Sequence, residues 1–83
     1  MKGGKEIVIT IALHGVTRLF ARNFRKDKIE VTAGTTVETL MDDIKLDTSI
    51  VGVYQINKEN IVTGKYILQP GDHVDIYPLF GGG

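Results

Sequence analysis

Apolar and polar side chains alternate near both ends of this chain. Between residues 7 and 13, every second residue is isoleucine or leucine, and small or β-branched residues occupy the positions between them. Residues 73–78 alternate too, with Val74 and Ile76 on one side. Alternation of this kind predicts β-strands. Both sides of the first strand are apolar enough for a place in the middle of a sheet.

A helix is predicted after the second strand. Four apolar residues recur there at the i, i+3, i+4 and i+7 spacing of a single helix face: Val37, Leu40, Met41 and Ile44. Thr35 or Thr36 can serve as N-cap, and residues 35–38 fit a capping box in which the Thr35 side chain accepts from the Glu38 amide. Burial of the apolar stripe contributes about 6 to 12 kcal/mol before conformational entropy is subtracted. We therefore expect this helix to cover the sheet.

Three further strands are predicted. Residues 28–33 and 50–56 have strand-forming patterns, and a short extended piece begins at Ile61. The polar turn at residues 57–60 contains two asparagines, which tolerate left-handed backbone. Residues 69–72 read Gln-Pro-Gly-Asp, a strong turn sequence because proline presets φ and glycine accepts positive φ.

A long basic loop separates the first two strands. The strand pattern is lost over residues 14–27, and Leu19, Phe20 and Phe24 indicate a short helical turn pressed on the domain. Arginines and lysines dominate residues 18–28. The net charge of zero provides no overall field for a polyanion. We predict a solvated basic face and no nucleic-acid partner, with contact to an acidic partner surface as the alternative.

Composition limits what the chain can do. An 83-residue chain buries only about 60 to 65% of its unfolded surface, which leaves little interior for a deep active site and argues against a self-contained enzyme. With no cysteine, it has no disulfide, thiolate nucleophile or iron–sulfur ligand. No apolar run approaches the roughly 20 residues of a membrane span, and the start lacks a signal-peptide pattern. We predict a cytoplasmic protein without membrane contact.

The polar side chains form no recognisable catalytic or metal-binding sequence pattern. His14 and His73 are far apart in sequence without ligand spacing, so we predict no metal site and place His73 exposed beside Asp75 and Tyr77 on the last strand. We expect the acidic side chains around the helix to be solvated, with nothing to shift their pKa values. These side chains are Glu38, Asp42, Asp43 and Asp47.

The end of the chain carries the most specific motif. Residues 68–78 read Leu-Gln-Pro-Gly-Asp-His-Val-Asp-Ile-Tyr-Pro, and after two apolar residues the sequence reads Gly81-Gly82-Gly83. This stretch resembles the L-x-x-G-D-x-V-x-I ending and glycine tail of the MoaD/ThiS family of ubiquitin-like sulfur carriers. That family includes the small subunit of molybdopterin synthase and the thiamine sulfur carrier. Residues 31–40 and 53–62 resemble the family's strand-to-helix junction and the strand and turn that follow.

The resemblance implies an α+β protein with the β-grasp, or ubiquitin-like, fold. The expected architecture is a mixed sheet of four to five strands covered by one main helix. The β-grasp domain would occupy residues 1–78, and residues 79–83 would form a flexible glycine tail.

The resemblance also implies a protein co-substrate and not an enzyme. A ubiquitin-activating-like adenylyltransferase would use ATP to adenylate the carboxylate of Gly83, and sulfur would then displace AMP. The resulting thiocarboxylate would pass its sulfur to a synthase, either the large subunit of molybdopterin synthase or a thiazole synthase. No cofactor would be bound to the carrier itself.

The expected roles of the tail residues follow from the same resemblance. Gly81 and Gly82 would thread into a partner's channel, because a residue without Cβ passes a narrow passage. Fully extended, residues 79–83 span about 17 Å. Leu79, Phe80 and Tyr77 would bind the partner.

Pathway and function class both have alternatives. The three glycines resemble thiamine-type carriers, whereas the insertion at residues 14–27 and the Tyr77-Pro78 step resemble the molybdopterin type. A second function class is a protein modifier joined through Gly83 to lysines of other proteins. A third is a β-grasp interaction module with a passive tail.

Overall fold

Five strands form one mixed sheet. The computed structural model describes residues 4–20 and 27–79, and for residues 19 and 20 the description covers the backbone alone. The strands are β1 Glu6–Leu13, β2 Lys28–Thr32, β3 Val51–Ile56, β4 Asn60–Val62 and β5 His73–Pro78. Their order is β2-β1-β5-β3-β4, and β1 pairs parallel to β5 while the other neighbours are antiparallel. The predicted β-grasp architecture is confirmed, and β1 lies inside the sheet as expected.

Two helices and a 3-10 turn connect the strands. They are α1 Thr17–Phe20, α2 Val37–Asp43 and the turn Thr48–Ile50. Ile50 was predicted in the third strand, but it closes this turn. The predicted helical turn in the basic loop is confirmed at α1, whereas residues 21–26, including Phe24, lie outside the described residues. In the described ranges no helix is both long and apolar enough to cross a membrane.

The apolar stripe of α2 packs against one face of the sheet. Val37, Leu40 and Met41 are completely buried, and Ile44 stays buried although it is the C-cap residue. From the sheet, Val74 and Ile76 of β5 are equally inaccessible. The remaining buried apolar residues are Ile7, Ile9, Ile11, Val31, Leu46, Ile56 and Leu68. The predicted helix face is therefore the centre of the core.

The start of α2 differs from the predicted capping box. Thr36 is the N-cap, and its hydroxyl accepts from the Thr39 amide at 3.3 Å. The Glu38 amide donates instead to the carbonyl of Gly64 at 2.9 Å, and the Thr35 hydroxyl donates to the Thr32 carbonyl at 2.7 Å. The predicted Thr35–Glu38 bond is wrong because the loop before β5 supplies a backbone acceptor from a distant part of the chain.

The turn between β3 and β4 is also partly different from the prediction. Asn57 has the expected positive φ of 55°, but the second left-handed residue is Lys58, with φ of 63°. Asn60 begins β4 and pairs with Ile56. A left-handed non-glycine residue costs roughly 1 to 2 kcal/mol. The contacts of the Lys58 side chain, described below, offset that cost.

The Gln-Pro-Gly-Asp turn is fastened to two other segments by Asp72. Gly71 has the predicted positive φ, 83°. The Asp72 side chain is buried and accepts from the Gln69 amide at 2.9 Å, the Tyr66 hydroxyl at 2.8 Å and the Asn57 side-chain amide at 2.9 Å. Burial and this carboxylate together raise the pKa of Tyr66. The aspartate therefore ties the start of β5 to the loop before it and to the β3–β4 turn.

Leu40→Ala should lower the free energy of unfolding by about 2 to 5 kcal/mol, because it opens a cavity beneath α2. Leu40→Asp should leave the domain unfolded, since it buries a charge without a partner. Urea unfolding followed by circular dichroism measures both. Asp42→Ala, on the exposed face of the same helix, is the matched control and should change stability by less than about 0.5 kcal/mol. Equal stability of the Leu40→Ala and Asp42→Ala variants would contradict the core assignment.

Candidate functional site

Two of the predicted site residues, Tyr77 and Leu79, lie where β5 ends. Tyr77 is half-buried on the strand, and Leu79 is 55% exposed directly after it. Phe80 and Gly81 to Gly83 lie outside the described residues. The exposure of Leu79 leaves it available to another molecule, as its predicted role requires.

The chain is held to the sheet up to Leu79. Pro78 pairs with Val51 at the start of β3, and the Leu79 amide donates to the carbonyl of Ile50 at 2.7 Å. Opposite them, Gly15 lies next to Pro78 with φ of 59°, a conformation that favours glycine. We call Pro78 and Leu79 the tail root. The tail root has a fixed position at the edge of the domain.

Asp75 has the least expected environment in the domain. The alternation of β5 predicts that His73, Asp75 and Tyr77 lie on the face opposite Val74 and Ile76. The face is as predicted, but the Asp75 side chain is 0% exposed and that of His73 is only 31% exposed. The prediction of an exposed His73 is therefore wrong, and the burial of Asp75 was not predicted. Neighbouring side chains on that face cover the carboxylate.

Three basic side chains surround the Asp75 carboxylate. The His14 Nε2–H group donates to Oδ1 at 2.8 Å. Lys58 Nζ donates to Oδ1 at 3.3 Å and forms an ion pair with Oδ2 at 3.2 Å. His73 Nε2 lies 3.4 Å from Oδ1. Among the described residues, none donates a hydrogen bond to Oδ2, so the Lys58 charge is the main compensation for that buried oxygen.

The pKa of Asp75 is lowered by this environment. Burial acts in the opposite direction and by itself raises the pKa. The hydrogen bonds from His14 and Lys58, followed by the charges of His73 and Lys58, outweigh burial. The carboxylate is therefore held ionised, and it fixes two histidines that are far apart in sequence.

The Asp75 network extends to the strand that leads into the tail. The His14 ring stacks on Tyr77, with ring centroids 4.4 Å apart and planes 9° from parallel. On the other side of Asp75, a 2.6 Å hydrogen bond joins His73 Nδ1 to the Thr10 hydroxyl of β1. Tyr77 is thus held from two directions, by its strand and by the histidine that Asp75 orients.

The acidic residues around α2 are exposed as predicted, with one correction. Asp47 accepts a hydrogen bond from the Ser49 amide at 2.9 Å, and this interaction lowers its pKa. The expectation that nothing would shift the pKa of Asp47 is wrong, because Asp47 caps the 3-10 turn. Within residues 4–20 and 27–79, no cluster of histidine and acidic side chains is suitable for a metal ion.

Sequence reasoning missed Asp75, Lys58 and His14 as a group. Their separations in sequence are 61 and 17 residues, so no local motif joins them. One signal was available, since an aspartate in the middle of a strand with apolar neighbours needs partners if the strand is central. Gly52, inside the predicted third strand, was a second overlooked signal, because an isolated glycine there often marks a bulge.

Asp75→Asn should lower the free energy of unfolding at pH 7 by about 1 to 3 kcal/mol. The substitution weakens the hydrogen bonds from His14 and Lys58 and removes the ion pair with Lys58. The folded pKa lies below the ordinary value of 3.8. The stabilisation is therefore complete above about pH 5 and is lost as the pH falls through the folded pKa. Urea unfolding across this acid range should show a shallower loss of stability in Asp75→Asn than in the wild type.

The matched control is Asp43→Asn, on the exposed face of α2, which should leave stability at pH 7 unchanged. Wild-type stability and the same acid dependence in Asp75→Asn would contradict the account of the buried network.

Comparisons with known proteins agree with this architecture. The solved structure of a molybdopterin converting factor subunit 1 from Pyrococcus furiosus superposes with a TM-score of 0.61 at 19% identity, covering 87% of this chain and 97% of that one. Small archaeal modifier protein 1 of H. volcanii gives a TM-score of 0.59 at 16% identity, with the same coverage of both chains. At these identities the similarity establishes the fold alone.

A search among curated protein sequences gave no significant match. The sequence profile of the ThiS family, in contrast, matches residues 16–83, which include α2, the Asp72 turn, β5 and the glycines. The chain therefore belongs to the ThiS family of small ubiquitin-like sulfur carriers.

Proposed function

We propose that the Gly83 carboxylate is adenylated by a partner enzyme and converted to a thiocarboxylate that donates sulfur. The observation that carries the proposal is the family match, which extends through Gly83 and so includes the whole tail. The protein acts as a co-substrate, and ATP is bound and used by the partner.

The chemistry explains why a partner and ATP are needed. A carboxylate is a poor acceptor for sulfur, because oxide is a poor leaving group. A Gly83 oxygen therefore attacks the α-phosphorus of ATP and pyrophosphate leaves, which produces an acyl-adenylate. A sulfur nucleophile at the oxidation level of sulfide then attacks the acyl carbon. The bond from this carbon to the phosphate oxygen breaks, and AMP leaves with the electron pair.

The tail root supports the proposed delivery of Gly83. Leu79 is held by the Ile50 carbonyl at its amide and exposes its side chain. From there, residues 79–83 reach about 17 Å when extended. Gly81 and Gly82 thread through the partner's channel, and Leu79 and Phe80 provide apolar contacts at its entrance. Tyr77, held by His14, adds a fixed aromatic surface beside the root.

Two partners take part in the proposed cycle. The first is a ubiquitin-activating-like adenylyltransferase, and the second is a synthase that accepts the sulfur. The acceptor belongs to molybdopterin or to thiamine biosynthesis, as the large subunit of molybdopterin synthase or as thiazole synthase. We place the cycle in the cytoplasm, where ATP is supplied.

Deletion of Gly83 should abolish ATP–pyrophosphate exchange by the cognate activating enzyme, because the next carboxylate is one residue too far from the reaction centre. We expect a loss of at least about 100-fold. The matched variant Gly83→Ala keeps the tail length and the terminal carboxylate, so it should retain more activity than the deletion. The circular dichroism spectrum of the domain should be unchanged in both.

Three outcomes separate the carrier from its alternatives. Undiminished exchange after deletion of Gly83 would contradict activation at this residue. Denaturant-resistant, tail-dependent conjugates of higher mass in cell lysate would identify a protein modifier instead, since the same adenylate can transfer the chain to a lysine. An unchanged phenotype after replacement of all three glycines with alanine would identify a passive interaction module.

A further inference from the structure

A β-bulge at the start of β3, opposite the end of β5, brings Gly52 against the tail root. Val53 pairs with Tyr77 and Val51 pairs with Pro78. The two partners on β5 are consecutive residues, whereas the two on β3 are separated by one residue. Gly52 is the extra residue. Bulges bend a strand and end or redirect pairing. Here the bulge lies where the domain ends and the proposed reactive tail begins.

Gly52 leaves no space for a side chain. A Cβ atom there would lie 2.9 Å from the Leu79 Cα atom, 2.9 Å from the Pro78 oxygen and 3.3 Å from the Leu79 nitrogen. All three are backbone atoms, so no flexible side chain can move away to relieve the contact. The φ angle of Gly52 is outside the positive range. Glycine is therefore required here by the close approach of the tail root and not by its own backbone conformation.

The close approach brings Leu79 within reach of the Ile50 carbonyl. The Leu79 amide donates to this carbonyl at 2.7 Å, two residues before Gly52. On the opposite side of the root, a Cβ atom at Gly15 would lie 3.0 Å from the Pro78 Cγ atom. The root thus passes through a slot whose two sides are glycines, and its last described hydrogen bond fixes the point at which the chain leaves the sheet.

We propose that Gly52 is a positioning residue for activation of the C-terminus. This inference rests on the proposed function, because it assigns a role in delivering Gly83 to the adenylating site. With a fixed root, only the residues after Leu79 have to be placed in that site. If the root detaches, the segment that has to be placed in that site becomes longer, and the fraction of conformations that place the carboxylate correctly falls with segment length. Gly52 acts through the root and does not touch the reacting atoms.

Gly52→Ala should displace Leu79 from the Ile50 carbonyl while the core stays folded. Hydrogen exchange should show loss of protection at the Leu79 amide, with protection of β1 and α2 retained. In ATP–pyrophosphate exchange with the full chain and the activating enzyme, kcat should fall about tenfold and KM should stay within about twofold. Docking of the domain is preserved, so the loss should appear in kcat alone.

The matched control is Gly64→Ala. A Cβ atom at Gly64 would meet the Glu38 Cβ atom at 3.1 Å, a similarly close contact located at α2. This variant should show wild-type kcat and KM. Wild-type kcat in Gly52→Ala, or an equal loss of kcat in both variants, would overturn the inference.

If Gly52→Ala does not fold, a second pair of variants provides the test. Leu79→Pro removes the amide that donates to Ile50, whereas Leu79→Ala keeps the amide and loses the same side chain. A lower kcat in Leu79→Pro than in Leu79→Ala supports positioning by the root, and equal values overturn it. Absence of exchange in the wild type is a separate result, which refutes the proposed function itself and this inference with it.

Discussion

The structure depends on the double-sided burial of β5. This strand lies between β1 and β3, so both of its edges are hydrogen-bonded, and Val74 and Ile76 are completely buried beneath α2. Its other face carries Asp75, which is just as inaccessible. A buried carboxylate is tolerated only when charges and hydrogen bonds compensate it. The network of His14, Lys58 and His73 is therefore a condition for the strand to occupy the centre of the sheet.

The same strand connects the stability of the domain to its proposed chemistry. Beyond Ile76 the chain passes Tyr77, which is stacked on His14, and leaves the sheet at the tail root. Two constraints thus converge within a few residues of the end of β5. One is the charge compensation of Asp75, and the other is the side-chain-free slot between Gly15 and Gly52. A last strand that is hydrogen-bonded on both edges gives the tail that we propose to be reactive a defined starting point.

Most of the fold was predictable because its signals are local. Alternation located each strand to within one residue at either end, and the spacing of Val37, Leu40 and Met41 identified the buried face of α2. Apart from Ile50 and the pKa of Asp47, which contacts within the 3-10 turn decide, the failures involve partners that are distant in sequence. The Glu38 amide is satisfied by Gly64, and Lys58 adopts a left-handed conformation from which it reaches Asp75. The role of Gly52 depends on the register between β3 and β5, which no local pattern contains.

Intact mass spectrometry of the protein purified from its own cells tests most directly whether Gly83 carries sulfur, as we propose. Fragmentation of the tail peptide locates any change. We expect a fraction heavier by the exchange of one oxygen for one sulfur at Gly83. Because thiocarboxylates hydrolyse, the same measurement is repeated after incubation with ATP, a sulfur donor and the activating enzyme. An unmodified mass under both conditions would contradict the account.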